Sequence, residues 1–271
     1  MAKPDEQLEE MSFWDHIDVL RKLLLRMALV VFAFAVGLFI FMPWIFDNIV
    51  LAPTNEDFIL YKLFNQISAD LMPDFASGDF HVELINIELA SQFFIHMSTS
   101  CWMAIVLSFP ILLTILWGFI SPALYSHEQR GFKRAFIFGN LMFYIGVAVG
   151  YLVVFPITMR FLAEYQISES VPNVISLSSY MDNFIVICLM MGLVFELPLV
   201  AWLLGRMGLL TRRFFKKYRR HAIVVLLILA ALVTPTGDPF TLSVVFFPIY
   251  TLWELSSRLV PKPSKTETEQ E

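Results

Sequence analysis

The chain has 271 residues, of which 58% are hydrophobic and only 16% charged, against roughly 45–50% and about 25% in an ordinary soluble domain. A mean hydropathy of +0.68 leaves too few polar residues to cover a soluble globule. Disordered, collagen-like and disulfide-rich secreted classes are excluded too. The formal net charge of −5 speaks against nucleic acid as a partner. The class that remains is an all-α polytopic membrane protein.

A helix needs about 20 apolar residues to cross the hydrocarbon core. The first candidate span, 22–42, follows an acidic head and lacks a small-residue cleavage site, so it reads as an uncleaved span. The loop from Asp47 to Glu88 is strongly acidic, with a single Lys. Its apolar Phe58, Ile59, Leu60, Leu63, Phe64 and Ile67 recur at helical spacing and predict a short interfacial helix. The second, third and fourth spans are read at 93–119, 136–155 and 184–204. A shorter external loop, 159–181, separates the last two. The fifth, 222–233, and sixth, 240–255, are short. At 1.5 Å per residue they reach about 18 and 24 Å, against a core of about 30 Å. One buried hairpin is the alternative. A bilayer can thin to meet a mismatch, however, and Thr234-Pro235-Thr236-Gly237-Asp238-Pro239 suits a sharp reversal between two spans. The reading is one six-helix membrane domain over 1–261 and a disordered polar tail over 262–271. No internal repeat is visible, which speaks against transporter plans built on repeated halves.

Lys and Arg near the span ends set the orientation. The head holds Lys3, Arg21, Lys22 and Arg26. The loop after the second span holds Arg130, Lys133 and Arg134. The loop after the fourth holds Arg206, Arg212, Arg213, Lys216, Lys217, Arg219 and Arg220, and the carboxy-terminal segment holds Arg258, Lys262 and Lys265. These are 17 of the 19 basic residues, leaving only Lys62 and Arg160 on the other side. Six spans with both termini cytoplasmic follow, since an error in the number of spans would scramble this partition.

No P-loop, GxGxxG, HExxH, GxSxG or CxxC is present. No cofactor, metal site or enzymatic activity is expected, and energy for any transport must come from a partner or the membrane potential. Cys101 and Cys188 sit in apolar stretches and read as small buried hydrophobes. Glu196 lies well inside the fourth span, where an ionised carboxylate costs about 2.5–3.5 kcal/mol on insertion scales. It marks a polar site within the bilayer or a packing hydrogen bond. Pro198 predicts a bend beside it. Asp238 fits either the external turn of a site or a helix cap before Phe240, and Glu254 is placed to snorkel toward the cytoplasm. On spacing alone, Glu128 is a solvated loop charge.

Four segments, in this order, resemble the TatC family, the multispanning core of the twin-arginine protein translocase. Ser12-Phe-Trp-Asp-His16-Ile-Asp-Val-Leu20-Arg21 resembles the family's His-Leu-x-Glu-Leu-Arg head. Ser121-Pro122-Ala-Leu124-Tyr125-x-His127-Glu128-x-Arg130 resembles its first cytoplasmic loop, and Phe195-Glu196-Leu-Pro198 its fourth-span motif. Thr234-Pro235, Asp238 and Pro248-Ile-Tyr250-x-x-x-Glu254 resemble its final hairpin. The resemblance extends from Ser12 to about Arg258. It implies a receptor for the paired arginines of signal peptides on folded cargo, acting at the cytoplasmic face of the inner membrane. It implies export on the proton-motive force, single-span TatA- and TatB-type partners, and association with further copies of the chain. The family's loop acid maps onto Glu128. A guanidinium fork suits a carboxylate in a bidentate pair, and a lone acid among basic residues would reject other cations. His16, Arg21, Pro122, Leu124 and Tyr125 join it in the implied peptide site. The family's second acid falls on Val19. Either Asp18, rotated about 100° on a helix, stands in for it, or other groups hold the second arginine. Glu196 and Pro198, with Pro235, Asp238, Pro248, Tyr250 and Glu254 of the hairpin, map onto the partner-docking surface. The competing reading is a proton-coupled small-solute transporter with Glu196 as its proton site.

Overall fold

A computed structural model describes residues 13–68, 82–120, 129–168, 170, 173–206, 209–234 and 236–260. Helix α1 (Phe13–Ile45) ends in a π-helical turn, Phe46–Val50, and a 3-10 turn, Ala52–Thr54. The helix expected in the first external loop is α2 (Ile59–Ser68). The second span is α3 (Ser91–Ile120). The third is α4 (Gln129–Val149), a π turn at Gly150–Val154, and α5 (Phe155–Glu164). The fourth is broken into α6 (Leu177–Val194) and α7 (Leu197–Arg206). A short helix, α8 (Arg212–Lys217), leads to α9 (Arg219–Val233) and α10 (Pro239–Leu259).

Five of these units are long and apolar enough to cross a membrane, and α9 is the sixth transmembrane element. With 15 residues, α9 reaches only about 22 Å, as its short apolar run foretold. α10 differs. Its apolar run is short, but the helix has 21 residues, or about 31 Å, because polar residues around Arg258 extend it. The polar tail lies outside the described residues.

The segments that precede α3 and α6 meet through a pair of two-residue strands not anticipated from sequence. β1 (Leu84–Ile85) runs parallel to β2 (Ile175–Ser176). Helix α1 packs on α3, α4 on α6, and α10 on both α7 and α9. Half of the fourth span's most apolar stretch is buried, against 6% for the first span, so the fourth is central and the first peripheral. The core gathers Met42, Val50, Phe155, Met181, Ile187 and Met191, together with Val233 and Val245 of the last two helices. Leu29, Phe32, Ile40, Ile137, Val225 and Leu232 point outward instead, as lipid-facing side chains do. Cys188 is buried as expected, but Cys101 is exposed on α3, because that face of α3 has no neighbouring helix over it.

Prolines explain much of the stitching between spans. A proline inside a helix leaves the carbonyl four residues back without its N–H donor, and the hydrocarbon has no water to replace it. Pro43 leaves Phe39 O bare. His96 Nε2 on α3 donates to it at 2.9 Å, with the imidazole stacked on the Phe39 ring at 4.0 Å. Pro53 offers no donor to Ile49, and the Tyr151 hydroxyl supplies one at 2.8 Å. Pro110 leaves Val106 bare, and Tyr144 donates to its carbonyl at 3.3 Å. Tyr180 donates to Val50 O at 2.5 Å, beside the same π turn. At these three prolines a neighbouring span supplies the missing donor.

This account predicts a coupling. His96→Phe keeps the ring stack and removes the donor, at an expected cost of about 1–3 kcal/mol. In a Pro43→Ala background the new N–H of residue 43 reaches Phe39 O, and the cost should vanish. Thermal unfolding of the four proteins in detergent measures this. A His96→Phe loss that is the same in both backgrounds would rule the donor role out.

Candidate functional site

Two regions carry the expected site residues, one at the basic ends of the first two spans and one around the fourth span and the last hairpin. In the first, Asp18 and Arg21 are exposed on α1. His16 belongs to α1, and its side chain lies outside the described set. Pro122, Leu124, Tyr125 and Glu128 also lie outside the described residues. A cavity of about 500 Å³ opens between α1 and α3. Val19, Lys22 and Arg26 line it from α1, and Thr114, Gly118 and Phe119 line it from α3. The residue on the cavity wall is thus Val19, while Asp18 does not line it. The same contacts set the first turns of α1 beside the end of α3, which precedes Glu128 in the chain.

In the second region, Glu196 sits in the break between α6 and α7. Pro198 has no N–H for the carbonyl of Val194, the last residue of α6. The chain continues through a tight turn instead, with Phe195 N donating to Met191 O at 3.0 Å and Glu196 N to Leu193 O at 3.1 Å. The bend expected from Pro198 is present, and it turns the carboxyl toward α4. Glu196 Oε1 is buried with no hydrogen-bond partner among the described residues. Oε2 lies 3.0 Å from the place a Cβ would occupy on Gly139. The packing hydrogen bond that would have made Glu196 structural is not formed, and the acid is held at the helix contact with unused acceptor capacity.

Glycine makes that contact possible. A Cβ on Gly146 would lie 2.6 Å from Met191 O and 2.6 Å from Phe195 Cβ, and one on Gly192 would lie 2.7 Å from Val147 Cγ2. Gly139, Gly146 and Gly150 stand seven and four residues apart, which is one face of a helix. This spacing was readable, and it identifies the face of α4 that lies closest to the fourth span.

The last hairpin is held at both ends. Asp238 caps α10, its Oδ1 accepting from Thr241 N at 2.7 Å and its Oδ2 from the Thr236 hydroxyl at 2.6 Å. Partial burial raises the Asp238 pKa, but these hydrogen bonds outweigh it and hold the carboxyl below its ordinary value. Of the two roles open to Asp238, the structure exhibits the cap. At the opposite end, Glu254 Oε1 pairs with Arg219 Nε at 2.7 Å, and Tyr250 Oη bridges them at 3.1 Å to each. Glu254 therefore ties α10 to α9. Pro248 is inside α10, and Pro235 lies outside the described residues.

One buried charge went unread in the sequence. Arg160, taken there only as an external cation, is 5% exposed. Its Nε pairs with Glu164 Oε1 at 2.8 Å, and its guanidinium stands 5.5 Å from the Tyr61 ring centroid. Tyr61 in turn donates to Pro53 O and Pro156 O at 3.1 and 3.3 Å. Burial pushes the Tyr61 phenol above its ordinary value, with the Arg160 charge opposing. This cluster fastens α2 to the outer end of the third span.

Comparison with known proteins places these features in a family. The TatC profile, described as Sec-independent protein translocase protein (TatC), matches residues 15–248. This chain belongs to the TatC family. The Sec-independent protein translocase protein TatC of Blattabacterium sp. subsp. Periplaneta americana (strain BPLAN) is 35% identical, over 91% of this chain and 94% of that protein. The TatC of Escherichia coli (strain K12) is 32% identical over 71% and 73%. A crystal structure of the twin arginine translocase receptor TatC in DDM superposes with a TM-score of 0.72 at 25% identity. The superposition covers 91% of this chain and 99% of that one. The chain is a multi-pass component of the Sec-independent protein translocase, with the six-helix TatC fold. As a TatC protein it has a transport role, and Glu196 falls inside the matched segment.

Proposed function

We propose that this TatC protein is the signal-peptide receptor of its translocase, with Glu128 receiving a guanidinium of the twin-arginine motif. The observation that carries the reading is the isolation of that acid. Between Glu88 and Glu164 the sequence contains no other Asp or Glu, and Arg130, Lys133 and Arg134 follow it closely. The cavity between α1 and α3 supports it, because its lining brings the head of the chain next to the start of the Glu128 loop. The orientation goes with it: both termini and the Glu128 loop face the cytoplasm across the inner membrane. Cargo crosses folded, driven by the proton-motive force. Single-span TatA- and TatB-type proteins dock on the fourth span and last hairpin, and the complex holds several copies of this chain. Asp18 is the acid offered to the second arginine.

Crosslinking of a twin-arginine peptide to the membrane-embedded protein tests the receptor role. A hydrogen bond to a charged group contributes about 1.5–3 kcal/mol, so Glu128→Arg should weaken capture by at least tenfold, since about 1.4 kcal/mol is a factor of ten. A twin-lysine peptide, which lacks the bidentate fork, should crosslink poorly to the native protein. Undiminished capture by Glu128→Arg would take Glu128 out of the role.

A further inference from the structure

We propose that α8 and its flanks, residues 211–220, form a binding surface for acidic phospholipid headgroups on the basic side of the membrane. Three observations carry this. The first is an unbalanced charge. Arg206, Arg212, Arg213, Lys216, Lys217, Arg219 and Arg220 crowd into a short segment, and no Asp or Glu occurs between Glu196 and Asp238. Glu254 from α10 reaches this cluster, and it is committed to Arg219.

The second is depth. Arg212 donates to Val260 O at 2.7 Å and to Arg258 O at 2.5 Å, at the end of α10. Phe215 is buried against Trp253, with ring centroids 4.6 Å apart. α8 is therefore pinned where the fourth and sixth spans end, at the level of the headgroups, as a rigid element.

The third is the make-up of its outer face. Phe214 and Tyr218, each 38% exposed, lie tilted against each other with ring centroids 4.7 Å apart, and Lys216, Lys217 and Arg220 are exposed around them. Exposed aromatic rings among cations suit a membrane interface with negative headgroups. Rings provide contact with the acyl boundary, and ammonium and guanidinium groups provide contact with phosphate. A soluble acidic protein would meet the cations but not the rings.

The test uses the full chain in nanodiscs of equal phosphatidylglycerol and phosphatidylcholine, extracted into detergent. Native mass spectrometry then reads the ratio of the two lipids retained. Phosphatidylglycerol should be enriched, and Lys216→Gln/Lys217→Gln/Arg220→Gln should lower the enrichment by at least about twofold. Lys216→Arg/Lys217→Arg should preserve it, as should Lys133→Gln/Arg134→Gln in the first turns of α4. Lys216, Lys217 and Arg220 are exposed, and the single variants Lys216→Gln and Arg220→Gln provide the same reading in smaller steps should the triple variant be unstable. No enrichment, or enrichment unchanged in the glutamine variants, overturns the proposal. An equal loss from Lys133→Gln/Arg134→Gln overturns it in favour of overall charge. Displacement of the lipid by inorganic phosphate or by polyglutamate overturns it in favour of a free-anion or protein-binding surface.

Discussion

Gly146→Ala is expected to lower thermal stability in detergent by about 1–3 kcal/mol, the usual range for overpacking a close contact, and Gly146→Val by more. The atoms a Cβ would strike are Met191 O, which is backbone, and Phe195 Cβ, both at 2.6 Å. Neither is the free end of a flexible side chain, so α4 and α6 must separate. That movement also disturbs the turn at Phe195 and Glu196, so the damage reaches the polar site. Gly139→Ala should cost less in packing, since its nearest obstacle is the terminal Leu199 Cδ2 at 2.4 Å, but it crowds Glu196 Oε2. Gly37 and Gly118 are the controls. Nothing lies within 4 Å of a Cβ at either position, and alanine there should be neutral or stabilising by up to about 1 kcal/mol through helix propensity. Unfolding curves of the five variants decide it. Gly146→Ala as stable as Gly118→Ala would mean that the third and fourth spans do not approach this closely.

Glu196→Ala is expected to separate stability from transport. Removing a well-bonded acid from a protein interior destabilises it, because partners are left bare. Here Oε1 has no partner to leave, and the carboxyl has only its cost of burial to lose. The variant should unfold at the same temperature as the native protein or higher. Export of a folded twin-arginine cargo, by contrast, should fall at least tenfold, about 1.4 kcal/mol or more, because the unused acceptors are what a partner helix would engage. Capture of the signal peptide should survive, since Glu196 has no part in the proposed peptide site. Cargo export in intact cells and peptide crosslinking in membranes supply the two readouts. Normal export by a stably folded Glu196→Ala protein would leave Glu196 without a transport role.

Much of the architecture was legible because its signals are local. Apolar runs of about 20 residues and the spacing of Phe58, Ile59, Leu63 and Ile67 each depend on neighbours along the chain. They yielded the helical elements and α2. Pro198 likewise announced the break before α7. The glycine face of α4 was also present in the spacing, although its partner was not.

Other features depend on which helices become neighbours. Nothing local in His96 says that it will serve a carbonyl on α1, and nothing in Tyr151 says that it will serve Ile49. The prolines determine which carbonyls need a donor, and only packing determines who supplies it. Glu254 looked like an acid on its way to water and became the partner of Arg219. Arg160 looked like an external cation and became buried beside Glu164 and Tyr61.

The sequence by itself determined that the chain lives in a membrane, where its helices run, and to which family its motifs are similar. Hydropathy and charge are sums over nearby residues, and the bilayer reads them one segment at a time. Tertiary structure alone decided that Glu196 Oε1 is buried without a hydrogen-bond partner among the described residues, that Val19 rather than Asp18 lines the cavity, and that α8 is pinned to the end of α10. Those properties belong to pairs of residues far apart in the chain, and burial and pairing exist only once the helices have met.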